Sequence, residues 1–380
     1  MTERDALMVL NAMPGVGNAT IQKLVQHFGS AQQVLSLPVK DWIKGSGLSR
    51  KVVEKIFDFD QDKFLKNEYN LLTQNEIEVV TFFDENYPTI LKEIPDAPVV
   101  LYVKGRKDWD ASPMVAVVGS RRASLYGMTT AQQFAMRLAE LGITVISGMA
   151  RGIDTAAHQG ALKAGGTTIA VLGNGLTEIF PRENKKLLAE IAQKGTVISE
   201  FPLTMPPLPH NFLQRNRIVS GFSLGVLVVE AARHSGALVT ARLALEQGRD
   251  VFAIPGQVGN ATAQGTNDLI RQGAKLVTCV EDILEELQRP LKKFVEPSLY
   301  IPEISSESSS EVQELENIST CALSEREENV YTYISKDPID LDSLVVKTKQ
   351  PVSTVMPVLL QLEMKRLIKQ LPGKWFIRKQ

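Results

Sequence analysis

The sequence predicts an α/β protein built on a doubly wound, mostly parallel sheet. Three observations carry this expectation. Apolar runs recur between residues 114 and 278 without polar alternation, as strands buried on both faces do. Helical patterns fill the intervals between them. Several of those patterns close on glycine, as a helix C-terminus does.

Residues 1–62 read as short helical pieces broken at MPGVG and KGSGLS. Residues 63–290 form the α/β region. Within it, segment 78–103 has strand character and extends the sheet ahead of the first central strand. The strands proper are MVAVVG (114–119), ITVISG (143–148), TTIAVLG (167–173), TVISE (196–200), GVLVVEA (225–231), DVFAIPG (250–256) and AKLVT (274–278). Helical patterns at 129–142 and 240–248 are among those that separate them. Residues 291–322 are rich in Ser and Glu with little period, which predicts a solvated linker. Residues 323–380 return to globular composition.

The chain has 380 residues, 44% apolar and 22% charged, which suits a globular protein of two or three domains. A net charge of −1 excludes a uniformly basic coat, so any polyanion site must be a local patch. Cys279 and Cys321 have no paired spacing, and His27, His158, His210 and His234 no ligand spacing, so neither disulfide, metal nor cofactor is expected. The N-terminus lacks a cationic segment followed by an apolar core. No window approaches ~18 uninterrupted apolar residues, and a cytoplasmic chain with no membrane span is expected.

In such sheets, ligands bind outside the carboxyl ends of the strands. Those ends carry GSRR, GMARGID, GNGL, EFPLTMPPLPHNFLQRNR, EAARHSG and PGQVGN. Arg121, Arg122, Arg151, Arg215, Arg217 and Arg233 are therefore expected on one rim, facing Asp154, Glu200 and Glu230. The planar fork of arginine suits phosphate. In NFLQRNRIVSG (211–221), Phe212 stands one helical turn before Arg215-Asn216-Arg217, an aromatic beside cations, as single-stranded nucleic acid requires. Packing of Phe212 into the core is the competing reading. Ser235, Gly236 and Thr240 of HSGALVT add donors at a helix start.

Other phosphate chemistries are missing their residues. Gly119 has no glycine two positions on, and Glu178 stands where GNGLTE would need its third glycine, which disfavours a dinucleotide site. Gly373-Lys374 is followed by Trp375, so there is no P-loop. Neither H-E-x-x-H nor G-x-S-x-G occurs.

The stretches VVGSRRAS (117–124), ISGMARGIDTAAHQGAL (146–162), AVLGNGL (170–176), SEFPL (199–203), NFLQRNRIVSGFS (211–223), VVEAARHSGALVTARLALEQGRDVFAIPG (228–256) and GTNDLIRQGAKLV (265–277) resemble the DprA/Smf family of DNA-processing proteins. The resemblance is dense over about residues 80–285. It implies an extended Rossmann-like domain that binds single-stranded DNA, usually as a homodimer. It also implies protection of incoming DNA in natural transformation and help in loading a RecA-type recombinase, without catalytic activity. The family's glycine-serine-arginine motif falls on Gly119, Ser120 and Arg121, and its aromatic DNA contact on Phe212. Some members carry lysine three residues before that aromatic. Here the position is Pro209, so that contact is either missing or supplied by His210 or Arg215.

The flanks agree. MPGVGNATIQKLVQHFGS (13–30) resembles a helix-hairpin-helix with Leu24 and Phe28 on one face, and KGSGLSRKVVEKI (44–56) its second copy; such hairpins bind duplex phosphates in many proteins. Residues 323–380 have the order of a winged helix, with helices at 325–335, 341–347 and 351–365 and a basic hairpin at Pro372-Gly373. Their net charge of +3 does not separate DNA from protein partners. A rival function is nucleotide hydrolysis by Glu230. The expectation adopted is that Arg217 or Arg233 holds Glu230 ionised, and that Glu230 orients an arginine fork or the Ser235–Thr240 turn.

Overall fold

A computed structural model describes residues 1–38, 40–42, 56, 58–287, 325–335, 339–348, 350, 355, 358–359, 362, 367–371 and 375–378. The chain divides into two units, Met1–Ile301 and Pro302–Gln380. The second copy of the hairpin (44–56, save Ile56) and the linker 291–322 lie outside the described residues.

The first unit holds strands β1 (Glu78–Thr81), β2 (Val100–Gly105), β3 (Met114–Val118), β4 (Thr144–Ser147), β5 (Thr168–Val171), β6 (Thr196–Ser199), β7 (Gly225–Val228), β8 (Asp250–Ala253) and β9 (Lys275–Leu276). They form one sheet in the order β1-β2-β6-β5-β4-β3-β7-β8-β9. From β6 to β9 every pairing is parallel. The early segment 78–103 does extend the sheet, but at its far edge: β2 runs antiparallel beside β6, and β1 antiparallel beside β2. The reason for the apolar runs is visible in β3. Val115 and Val117 pack with Phe134 and Leu138 on one face, while Ala116 and Val118 pack with Ile218 and Phe222 on the other.

The helices described in full are α1 (Glu3–Ala12), α2 (Asn18–Phe28), α3 (Ala31–Leu35), α4 (Gln61–Asn75), α5 (Thr89–Lys92), α6 (Leu125–Glu140), α7 (Ile153–Lys163), α8 (Lys185–Lys194), α9 (Pro209–Gly221), α10 (Gly236–Glu246), α11 (Gln264–Arg271) and α12 (Val280–Glu286). α6 and α10 are followed by Gly142 and Gly248 at φ +76° and +69°, the left-handed position where a helix stops. Both helices begin four residues earlier than their apolar patterns suggest, because Ser124 and Ser235 cap them by accepting from Gly127 N and Ala237 N.

The N-terminal helices are not a separate body. Leu7, Leu10, Ile21 and Leu24 share a core with Val100, Tyr102, Leu172 and Leu203. α1 and α2 do form the expected hairpin across Pro14–Gly17, with Leu24 and Phe28 in that shared core. Buried polar groups bind it to the sheet: Asn18 Nδ2 donates to Glu200 Oε2 at 3.0 Å, Asn18 Oδ1 accepts from Val99 N at 2.9 Å, and Asn11 Nδ2 donates to Glu200 O at 2.8 Å. Glu68 on α4 is 1% exposed and accepts from Leu203 N at 3.2 Å.

The second unit has α13 (Glu325–Thr332), β10 (Ile339–Asp340), α14 (Leu341–Thr348), β11 (Ile368–Leu371) and β12 (Trp375–Arg378), with antiparallel sheet order β10-β12-β11. It is a winged-helix domain. Of the helix expected over 351–365 only Val355, Val358, Leu359 and Leu362 are described, all buried with Ile334, Leu344 and Phe376.

Burial raises the Glu68 carboxyl to about 7, against the opposing amide of Leu203. A carboxyl that is harder to ionise folded than unfolded favours the fold at acid pH. That contribution is fully present below about pH 4.5 and lost as pH rises to 7. Glu68→Gln removes the titration, so its thermal midpoint should gain on the parent's between pH 4 and pH 8. The gain should correspond to about 3 kcal/mol, read by calorimetry at matched ionic strength.

Candidate functional site

The strand order fixes where a site can form. After β3 the chain winds outward through β4, β5 and β6, then returns past β3 to place β7 on its other side. The carboxyl ends of β3 and β7 therefore flank the switch point, where helices on opposite faces part and leave a crevice. Gly119-Ser120-Arg121-Arg122 leaves β3 at this point. Its turn is held by Ser120 N donating to Glu230 O at 2.7 Å and Arg122 N donating to Ser120 Oγ at 3.1 Å.

A cleft opens beside that turn, lined by Arg121, Met149, Arg151, Asn174, Phe180 and Phe212, with Gly148 and Gly173 among its floor residues. The Phe180 and Phe212 rings lie 5.4 Å apart at 44°, and the Arg121 guanidinium sits 5.3 Å from the Phe212 centroid. Phe180 is 39% exposed, Phe212 is half-buried, and Arg121 and Arg122 are exposed. Neither arginine has an ion-pair partner among the described residues. Arg151 is exposed at the same mouth and pairs with Glu183. Two rings open to solvent beside unpaired guanidinium groups can stack bases and neutralise phosphates.

The floor explains why glycine occupies two strand ends. A Cβ on Gly148 would fall 2.6 Å from Arg215 Cζ, and one on Gly173 2.7 Å from Phe212 Cδ1. Phe212 thus rests on backbone. α9 begins with Pro209 at its first turn, a position that lacks no needed donor. Its first turn carries no acid, nor do those of α6 and α10. Glu230 already places a carboxylate at the start of α6, whereas the N-terminal ends of α9 and α10 have no acid in their own first turns, which suits an anion.

Several rim expectations are corrected. Arg215 is 3% exposed: its Nη1 donates to Gly148 O at 2.5 Å and to Val171 O. Burial lowers its pKa to about 10, with Asp154 opposing. Asp154 is itself buried and accepts from Gly148 N and Ala150 N, both at 3.2 Å. Arg217 is 7% exposed and paired with buried Glu200 and, at 3.2 Å, with Asp96. Both arginines are structural because their helix turns them inward, where carbonyls and carboxylates await them. Of the two substitutes considered for a lysine at 209, His210 is exposed and Arg215 is not.

Arg233 pairs with Asp268 at 3.2 Å, away from Glu230. Thr240 is 2% exposed and its hydroxyl donates back to Gly236 O at 3.4 Å, so it offers no free donor. Ser235 and Gly236 do lie at the surface, and Asn216 Nδ2 reaches Gly236 O at 3.4 Å. Glu230 touches neither arginine. Its oxygens accept from Ser124 N at 2.9 Å and Ser124 Oγ at 2.5 Å, and it is 5% exposed behind Gly127. It anchors the start of α6 and does not line the cleft.

His158 is fully buried, with Nδ1 2.7 Å from Thr168 Oγ1, and burial lowers it to about 3; it is a neutral core residue. No group of three or more His, Cys, Asp or Glu among the described residues could hold a metal. No helix among them is long and apolar enough to cross a membrane. Phe180 escaped the sequence reading, which stopped at GNGL. The signal was present four residues on, an aromatic in a polar loop before Pro181.

Comparison with known proteins identifies the family. The family model for DNA recombination-mediator protein A matches residues 78–288, and that for the DprA winged helix domain residues 317–374. Protein Smf of Escherichia coli is 41% identical over 87% of this chain and 85% of its own length. The X-ray structure of DNA processing protein A from Streptococcus pneumoniae superposes with a TM-score of 0.66 at 39% identity, covering 75% of this chain and 98% of that one. DNA processing protein A from Helicobacter pylori, whose structure is described for its single-stranded DNA binding mode, gives 0.52 at 31% identity, covering 57% and 97%. With a matching family model over more than half its length and a relative 41% identical over 87% of it, the chain belongs to the DNA recombination-mediator protein A (DprA/Smf) family.

Proposed function

We propose that this protein is a single-stranded DNA-binding recombination mediator with no catalytic activity of its own. The observation that carries the reading is the tilted pair Phe180–Phe212 with Arg121 against it, on a rim whose exposed arginines 121 and 122 have no ion-pair partner among the described residues. Bases stack on the rings without sequence preference, and phosphates pair with the arginine turn and with the donors at Ser120, Ser235 and Gly236. A duplex keeps its bases stacked inside and cannot use the rings, so the cleft selects single strands. The H. pylori relative described as binding single-stranded DNA supports the same assignment.

A mediator holds a strand and passes it on. We extend the reading to protection of incoming single strands in natural transformation, to loading of a RecA-type recombinase, and to a homodimer through the Rossmann-like domain. These three are tested by nuclease digestion of the bound strand, by recombinase filament formation on strands coated with single-strand-binding protein, and by sedimentation. Nucleotide hydrolysis has no support in the cleft, since Glu230 is committed to Ser124.

Oligonucleotide titrations at several salt concentrations check the main claim. Single strands should bind more tightly than duplexes, with affinity falling steeply as salt rises. Arg121→Ala should flatten the salt slope by about one phosphate contact. Phe212→Ala should cost about 1–3 kcal/mol with the slope nearly unchanged. Equal affinity for both forms of DNA would refute the assignment.

Glu230→Gln supplies the complementary test. Its amide offers one acceptor to two donors of Ser124, so about 1–3 kcal/mol of stability should be lost while the fold persists. Neither parent nor variant should release free base from nucleotides. Release by the parent that disappears in the variant would establish the hydrolase instead.

A further inference from the structure

The cleft accounts for Phe180, Phe212 and Arg121 but leaves the other side of the arginine turn unexplained. There the first turn of α6 exposes Leu125 at 77%, Tyr126 at 63% and Met128 at 37%. Large apolar side chains side by side on a surface mark contact with something else. Their position is fixed by the backbone. Ser124 caps the helix through Gly127 N at 3.0 Å and is itself held by Glu230 at 2.9 and 2.5 Å, while Glu230 backs onto Gly127. Tyr126 is therefore an exposed ring on a rigid turn.

We propose that Tyr126 is a second base-stacking platform, reached by a strand that leaves the Phe180–Phe212 cleft across Arg121 and Arg122. The proposal rests on the reading of the cleft as a single-stranded DNA site. Charge selects the occupant. Arg122 lies four residues before Tyr126, is exposed and lacks an ion-pair partner among the described residues, although Arg151, Arg217 and Arg233 all have one. From Gly119 to Ala139 the sequence contains no carboxylate, and the one that reaches this path from elsewhere, Glu230, is 5% exposed and engaged by Ser124, so it is turned away from the two guanidinium groups. An aromatic, two unpaired cations and a second aromatic pair, in that order, form the alternating track that single strands follow.

The track predicts a length dependence. Oligothymidylates of increasing length are titrated against the full chain, its Tyr126→Ala and Tyr126→Trp variants, and Phe212→Ala. Phe212→Ala should weaken binding at every length. Tyr126→Ala should match the parent on the shortest strands that bind and fall behind by about 5- to 150-fold once they are long enough to cross the arginine turn. Its salt slope should stay unchanged, and Tyr126→Trp should restore the parent's affinity. Quenching of 2-aminopurine placed beyond the arginine turn should vanish in Tyr126→Ala and persist at the position held by Phe212.

Failure of the parent to bind any single strand would overturn both the cleft assignment and the track. A binding parent with Tyr126→Ala equal to it at all lengths would overturn the track alone. So would equal weakening of short and long strands with a lowered thermal midpoint, or loss of self-association without any change in DNA affinity.

Discussion

Arg215 places its charge inside the protein, and the cleft depends on where that charge goes. Its guanidinium joins Gly148 O at the end of β4 to Val171 O at the end of β5, close to the carboxylate of Asp154. Asp154 in turn takes the amides of Gly148 and Ala150. Between them sits Met149, held at φ +59°, a conformation that non-glycine residues adopt only when their surroundings impose it. Removing the guanidinium would leave carbonyls unsatisfied and a buried carboxylate without its neutralising charge, and each costs free energy. Phe212 lies one turn earlier on the same helix, so the network that fixes the strand ends also fixes the ring above them.

A second buried charge ties that helix to the N-terminal layer. Arg217 meets Glu200 at the end of β6, and Asn18 of α2 donates to the same carboxylate. The segment between β6 and α9 is thereby held at Glu200 by α1 and α2, and at Leu203 by Glu68 of α4. The hairpin that looked like a duplex-binding module directs Asn18 into the protein, where it forms part of the scaffold beneath the site.

What could be read from the sequence followed from local rules. Strands buried on both faces announce themselves as apolar runs, and GSRR at the end of one of them pointed to an anion-binding rim. Phe212 was legible as an aromatic beside cations. The fates of the cations were not. Arg215 and Arg217 differ from Arg121 only in what faces them, and those partners, Gly148, Val171 and Glu200, come from distant strand ends. The same holds for Glu230, whose partner is Ser124 across the switch point. Residue type told what each group could do, and only tertiary neighbours decided whether it was free to do it. Phe180 was hidden for a different reason, since a loop residue has no periodicity to betray which way it points.

The glycine floor has an evolutionary consequence. Gly148 and Gly173 have no room for a single added carbon, because Arg215 and Phe212 already occupy it. The base of the cleft is therefore closed to mutation unless the arginine and the ring change with it. Its wall is open: Phe180 projects from a surface loop between β5 and α8, where insertions and replacements disturb little of the core. Divergence among descendants of this fold should accumulate in that wall, altering how a strand is gripped while the platform beneath it stays as it is.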